Sequence, residues 1–339
     1  MEYILELSKE DIKLAVYEAV SLLQPRSYTL KENFLIISSH YSLSVLFSRL
    51  AYTHNIYHVL FNGNRKLCYN QTEHYFWNKV YNHDFAVRTV GFQDEKKLAA
   101  LIYSVLKKKN TNPQVNLKNS STEIYFFKLG RTYYTTQHLW KNNKSFLLRK
   151  AHLKPVLHPT SINPKLARCV INLVVKKGVL YDPFCGVGGI LVEGCFLGLS
   201  VIGNDIDTKM LDAAKTNVEY YALNYKNLNY KSPFNSNYKL LHGDATKTKV
   251  TCEAIVTDLP YGKNTKNIDA EPLYLNFLKH AYSLTSKAVV MFPDFVNFKK
   301  IIRKTKWKID KVFTYYLHKG LSKKIVILKK KGLCRKCSF

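Results

Sequence analysis

A doubly wound, mostly parallel α/β sheet closed by an antiparallel hairpin is the fold predicted for the second half of this 339-residue chain. Three observations predict it. Helix-period and strand-like segments alternate from Pro164 onward, the glycine turn Gly186-Val187-Gly188-Gly189 joins a strand to a helix, and acidic residues recur at the strand ends. Such alternation builds a Rossmann-like sheet, whose ligands bind outside the carboxyl ends of the strands. The first half reads as an α+β region.

Tyr3 to Leu7 alternates like a strand. Asp11 to Leu23 carries Ile12, Ala15, Val16, Ala19, Val20 and Leu23 at helical spacing, with Ser8 as the expected N-cap and Pro25 as the stop. Phe34 to Ile37 is a second strand, and Leu43 to Leu60 is expected to be helical. From Phe61 a second unit follows: strand Asp84–Val90, helix Gln93–Lys108, strands Gln114–Leu117 and Glu123–Lys128 around the turn Asn119-Ser120-Ser121, and a strand Tyr133–Gln137. The divisions expected are therefore 1–60, 61–137, a Pro- and Lys-containing linker 138–163, and 164–339. The last unit runs helix 165–175, strand 178–181, helix 190–197, strand 201–206, helix 210–223 and strands 239–242 and 254–257. Helix 273–284, strand 288–292, helix 295–304 and the hairpin 307–328 complete it.

Lys and Arg number 52 against 24 Asp and Glu, a net charge of +28. A balance this basic points to a polyanionic partner, above all nucleic acid. Arg88, Lys118, Arg131, Arg149 and Lys150 are the candidate phosphate contacts in the first half. Seven cysteines, odd in number and scattered, do not read as a disulfide framework. Cys334 and Cys337 lack a second ligand pair, so no metal is expected. With neither a signal-like N-terminus nor an apolar run of about 20 residues, a cytoplasmic, monomeric protein away from membranes is expected.

Four strand-end segments carry chemistry. In Asp182-Pro183-Phe184-Cys185-Gly186-Val187-Gly188-Gly189, glycines permit a tight turn and close approach of backbone to ligand, and Asp182 offers a carboxylate to an ammonium group. Phe184, Gly186, Gly188 and Gly189 are the candidate cradle. In Gly203-Asn204-Asp205-Ile206-Asp207, Asp205 stands where a carboxylate accepts both ribose hydroxyls of a nucleoside cofactor. Ile206 belongs to the same wall, and Asp207 is assigned to capping the next helix. In Gly243-Asp244-Ala245, Asp244 can accept from an adenine amine and the Ala245 N–H can donate to a ring nitrogen, although a helix cap is an equal use of Asp244. The fourth segment is Asp258-Leu259-Pro260-Tyr261-Gly262. An exocyclic amine on a base is a poor nucleophile because its lone pair is delocalised into the ring. Asp258 and a nearby backbone carbonyl can accept both amine hydrogens and draw the nitrogen toward tetrahedral geometry. Pro260 fixes where that carbonyl points, and Tyr261 offers a face for stacking a flipped base.

These four segments, in this order, resemble the class I methyltransferases that use S-adenosyl-L-methionine. The acid-x-Pro-aromatic loop resembles that of the amino-methyltransferases of nucleic-acid bases. Arg149 to Leu173 with Pro164-Lys165-Leu166-Ala167-Arg168, Asp182 to Gly194 and Thr257 to Gly262 are similar to the archaeal tRNA guanine-10 N2-methyltransferase family. Phe85-Ala86-Val87-Arg88 and Val115-Asn116-Leu117-Lys118-Asn119 resemble strands of a THUMP domain, behind a ferredoxin-like segment. The resemblance implies methylation of the N2 amine of a guanine in tRNA, at position 10, once or twice, with the THUMP region on the tRNA acceptor end. Another tRNA position, rRNA and, further off, DNA remain the alternatives. Leu259 stands where many members have a second proline, but related guanine N2-methyltransferases carry leucine there.

Overall fold

Strand pairing divides the chain into two seven-stranded sheets. The computed structural model describes residues 1–109, 112–159, 161–228, 234–261, 270–318 and 321–330. Among them no helix is long and apolar enough to cross a membrane. Cys334, Cys337 and Gly262 lie outside the described residues.

The first sheet contains β1 (Glu2–Leu7), β2 (Ser27–Lys31), β3 (Phe34–Ser38), β4 (Thr53–Gly63), β5 (Phe85–Val90), β6 (Thr122–Leu129) and β7 (Thr132–Lys141), ordered β2-β3-β1-β4-β7-β6-β5. All neighbours are antiparallel except β5 and β6. Two elements correct the expectations from sequence. Of the helix expected over 43–60, only α2 (Ser44–Phe47) forms; a turn follows, and residues from Thr53 onward belong to β4. The cause is position: β4 pairs with β1 on one side and β7 on the other, so its β-branched and aromatic residues Ile56, Tyr57, Val59 and Phe61 fill the middle of a sheet. Gln114–Leu117 forms only an isolated bridge, Val115 to Phe85. The helix α1 (Ile12–Leu23) begins on Asp11, whose carboxylate accepts from the Leu14 N–H at 2.9 Å, and not on Ser8. Two further elements were not expected: the exposed strand β2 and α3 (Arg65–His74), which starts on the Asn64 side chain. α3 and α4 (Glu95–Lys108) cover the β5–β6–β7 end over Trp77, Phe85, Val87, Leu98 and Ile102.

The second sheet has β8 (Val179–Asp182), β9 (Ser200–Asp205), β10 (Tyr238–His242), β11 (Ala254–Asp258), β12 (Lys287–Pro293), β13 (Trp307–His318) and β14 (Leu321–Lys330). Its order is β10-β9-β8-β11-β12-β14-β13, parallel except for the final hairpin. Residues of α5 (Pro164–Asn172), α6 (Gly189–Phe196) and α7 (Thr208–Asn224) pack into one hydrophobic cluster. Those of α8 (Ala270–Leu284) and α9 (Phe298–Arg303) pack into another. Chain order reverses between β8 and β11, which places the switch-point crevice at Asp182 and Asp258.

The two halves share one core. Leu14, Leu22, Tyr52 and Ile56 cluster with Leu166, Val170 and Val174. Glu18 is fully buried at this junction and accepts from the amides of Ala51 and Tyr52, each at 2.9 Å, and from Asn172 Nδ2 at 2.8 Å. Arg49 donates to Asn172 Oδ1 at 3.3 Å and to the Val175 carbonyl at 3.0 Å, so that a cation closes the C-terminal end of α5. Tyr17 donates to Asp310 at 2.5 Å, linking α1 to the hairpin.

A second buried knot corrects the assignment of Arg149 to phosphate. Its side chain is 0 % exposed and pairs with Glu193, Nε to Oε1 at 2.5 Å and the second guanidinium nitrogen to Oε2 at 3.0 Å. Arg168 Nε approaches the same Oε2 at 3.1 Å, and the Arg149 guanidinium lies 4.0 Å from the Phe196 ring centroid. Burial pushes the Glu193 carboxyl up, but the two guanidiniums outweigh it and hold the group below its usual range. Arg149 therefore holds the 145–153 segment against α6 and has no face for a phosphate. Removing one member of such a set strands the others in the core, which costs about 3–5 kcal/mol. Glu193→Gln should lower the urea midpoint by a corresponding amount, while Lys150→Gln, at an exposed neighbour, should leave it unchanged.

Candidate active site

The carboxyl ends of β8, β9, β10 and β11 open into a cavity of about 650 Å³. Asp182, Phe184, Gly186, Gly189, Asp205, Ile206, Asp244, Ala245, Asp258, Leu259, Pro260 and Tyr261 all line it. Gly188 does not. It stands behind the wall with φ +79°, and an added Cβ there would come 3.2 Å from Ala214. Its part is to start α6 close against α7. Asp207, which touches the cavity, accepts from the Lys209 N–H at 2.8 Å as the cap of α7.

The acids are each held by different donors. Asp182 is 1 % exposed, and its Oδ1 accepts from Thr257 Oγ1 at 2.7 Å and the Phe184 N–H at 3.3 Å. Burial lifts its carboxyl to about 7, against those hydrogen bonds and with help from the charges of Asp258 and Asp205. Asp205 Oδ2 accepts from the Gly186 N–H at 2.9 Å, and Oδ1 from the Asp207 N–H at 3.0 Å. Gly186 has φ +50° with open space where a Cβ would point, so its amide reaches Asp205 while the turn leaves room for a ligand. Asp244 Oδ1 accepts from the amide and hydroxyl of Thr246, both at 2.8 Å. The Thr246 amide, working against partial burial, keeps this carboxyl below its usual range.

The loop after β11 is fixed from three sides. The Leu259 N–H donates to the Met291 carbonyl at 3.1 Å, and Tyr274 donates to the Pro260 carbonyl at 2.6 Å. The parallel register pairs Asp258 with Met291. One step further, the donor to the Leu259 carbonyl would be the amide of residue 293, which is proline and has no N–H. The sheet thus leaves the Leu259 carbonyl for another donor. Asp258 Oδ2 is ion-paired with Lys323 from β14, whereas its buried Oδ1 accepts from no described residue. Burial raises the Asp258 carboxyl above its usual range, and Lys323 offsets only part of that rise. Lys323 also lies 4.9 Å from the Tyr261 ring centroid.

Sequence reasoning missed Lys323, Thr257 and the cavity wall from His158, Ser161 and Ile162. The run Lys323-Lys324-Ile325-Val326-Ile327-Leu328 carried no periodic signal for Lys323, since the residues in phase with either lysine are equally buried. The other basic candidates lie away from the cavity. Arg88 is half-buried and donates to the Leu117 carbonyl at 2.5 Å, beside the exposed Lys118. Arg131 is exposed in the β6–β7 turn and Lys150 in the segment before α5.

Residues 151–323 match the UPF0020 family model, described as an RMKL-like methyltransferase domain. The tRNA (guanine(10)-N2)-dimethyltransferase of Methanocaldococcus jannaschii is 31 % identical over 255 residues, covering 74 % of this chain and 69 % of its own. The chain belongs to this family. The tRNA (guanine(10)-N2)-dimethyltransferase of Methanothermobacter thermautotrophicus is 29 % identical over 299 residues, 84 % of this chain and 85 % of its own. That of Pyrococcus abyssi is 28 % identical over 330 residues, 93 % and 96 %. The crystal structure of TrmN from Thermus thermophilus shares the fold at TM-score 0.50 and 18 % identity, covering 97 % of this chain and 100 % of that one. The cavity therefore sits in a methyltransferase domain, at the strand ends where the sequence places its acids.

The buried Asp182 makes the family's site sensitive to pH. Its folded-state carboxyl titrates near 7, above the ordinary value of 3.8, so the folded protein holds this proton more tightly than the unfolded chain. That contribution is full below the ordinary value and is lost as pH rises through 7. Asp182→Asn removes it. The stability of the wild type relative to Asp182→Asn should therefore fall as pH rises from about 5 through 7, as read by urea unfolding without ligand. A constant difference across that range would show that Asp182 does not carry the proton.

Proposed function

We propose that this protein transfers methyl groups from S-adenosyl-L-methionine to the N2 amine of a guanine in tRNA, the position-10 guanine named for its relatives. The observation that carries the reading is Oδ1 of Asp258, without a donor among the described residues, beside the Leu259 carbonyl: two acceptors in one loop at the mouth of the cavity. A buried carboxylate oxygen without a donor is costly, and an incoming amine would satisfy it.

The residues of the cavity suit the methyl donor. Asp182 can accept from its ammonium group, Asp205 from its ribose hydroxyls, and Asp244 with the Ala245 N–H can take the edge of its adenine. The exposed apolar side chain of Ile206 offers a surface for the same base. When bound, S-adenosyl-L-methionine supplies an electrophilic methyl carbon on a positively charged sulfur. The chain's own residues deal with the nucleophile. Tyr261 stacks the extruded guanine, and the Leu259 carbonyl and Asp258 Oδ1 accept its two amine hydrogens, restoring lone-pair density on nitrogen. With that lone pair available, the nitrogen would take the methyl carbon that the bound donor supplies, the C–S electron pair staying with sulfur. Asp258 takes the proton that the nitrogen must shed and passes it to water. In the same reading, the basic first half grips the tRNA acceptor end, with Arg88, Lys118, Arg131 and Lys150 near its phosphates.

The test is nucleoside mass spectrometry of tRNA treated with the protein and isotopically labelled methyl donor. N2-methylguanosine or its dimethyl form is expected. Label on adenine, or on DNA alone, would overturn the proposal. Asp258→Ala should lower kcat about 10²–10⁴-fold, while S-adenosylhomocysteine binds as before by calorimetry. For the grip, Lys118→Ala with Arg131→Ala should weaken tRNA binding. It should also make the fall of log K with log salt shallower, by about 0.7–0.9 for each phosphate that the protein no longer neutralises.

A further inference from the structure

A lysine buried beside a reactive carboxylate is expensive, and Lys323 is 2 % exposed. It arises from β14, where its register partners are Pro293 of β12 and Tyr315 of β13. Asp258 ends β11, on the far side of β12. The lysine stem therefore passes the end of β12, a strand spacing of about 4.8 Å on each side, to bring its ammonium to Asp258 Oδ2 and to the Tyr261 ring. Pro293, at the crossing point, ends the ladder with β11. One cation thus touches the acceptor acid and the stacking ring together.

We infer that Lys323 is a positioning residue for methyl transfer: by clamping Oδ2 of Asp258 and the face of Tyr261, it leaves Oδ1 as the single carboxylate acceptor aimed at the base amine. The inference rests on the reading of Asp258 given above. A carboxylate free to rotate presents either oxygen at either angle, whereas one pinned by an ammonium presents one. The pin also favours the ionised form against the burial that raises this carboxyl, and the ionised form is the one that can take the proton the amine sheds. Around Asp258 the other titratable groups are Asp182 from β8, Tyr274 from α8 and Tyr261 in its own loop. None of these is a cation. From β12, Met291 and Phe292 contribute nothing that titrates. Lys323 is the cation that faces Asp258 among the described residues.

The test compares Lys323→Met, which keeps the stem and removes the charge, with Lys323→Arg, which keeps the charge. Without its cation Asp258 protonates more readily, so the acid limb of the kcat profile should move up by about 1–3 pH units in Lys323→Met. Turnover lost near neutral pH should return in large part in alkaline buffer, and Lys323→Arg should keep the original limb. S-adenosylhomocysteine affinity should be unchanged in both. A loss of kcat that is equal at every pH would show that the lysine serves packing alone, and an unchanged profile would show that it serves nothing in the reaction; either overturns the inference. A second arm needs no turnover. In ligand-free protein, the stability deficit of Lys323→Met should grow as pH rises from mildly acidic to mildly alkaline, and Asp258→Asn in the same chain should abolish that growth. If the wild type methylates no tRNA, the acceptor role falls with the function. If it is active while this coupling is absent, the function stands and the clamp falls.

Discussion

Three carboxylates converge at the carboxyl edge of one parallel sheet, and keeping like charges together away from water organises the rest of the site. Asp182, Asp205 and Asp258 end three strands that lie side by side, and Asp182 feels the charge of both others. Each is stabilised in a different way. Asp182 has a hydroxyl and an amide, and a carboxyl that burial raises to about 7. Asp205 has two backbone amides, one from the glycine turn it thereby holds in place. Asp258 has an ammonium group. The local architecture follows from these solutions: Thr257 must precede Asp258, Gly186 must adopt a left-handed turn, and the hairpin must return a lysine to the strand ends.

Outside the cavity, buried charge is handled by clusters of hydrogen-bonded partners. Glu18 with Asn172 and Arg49, and Glu193 with Arg149 and Arg168, sit where the two halves of the chain and the segment between them meet the catalytic sheet. Burying ions is a poor way to add stability but an effective way to forbid alternative packings, because a half-made set is far worse than a whole one. Here both sets involve α5 or α6, the helices behind the cofactor wall. The first sheet is thereby fixed against the methyltransferase domain.

Local signals made much of this legible. Alternating elements predicted the doubly wound sheet because βαβ units bury their strands on both faces and leave a strong pattern. Strand-end acids and the glycine turn predicted the cavity because chemistry there needs particular residue types. What could not be read depended on partners distant in sequence. The segment after Leu43 has apolar residues compatible with a helix, and only the flanking β1 and β7 make it a strand. Arg149 has the composition of a phosphate contact, and Glu193 takes it into the core. Lys323 sits in the most basic part of the chain, and the lysine beside it, Lys324, stays at the surface. Both precede the fully buried run Ile325–Leu328, so no periodicity in β14 separates the two; only the place of Asp258 beyond β12 does.

The opposition of charge between surface and site bears on how a polyanion can be a substrate at all. The chain carries +28 overall, yet the cavity wall is rich in acids, and the buried ammonium of Lys323 behind Asp258 is already paired. Phosphates are drawn to the outside and repelled from the inside. A neutral base, once turned out of its stack, meets no such barrier, and a cationic methyl donor is attracted. The same field therefore favours the donor and the base over the backbone that delivers it.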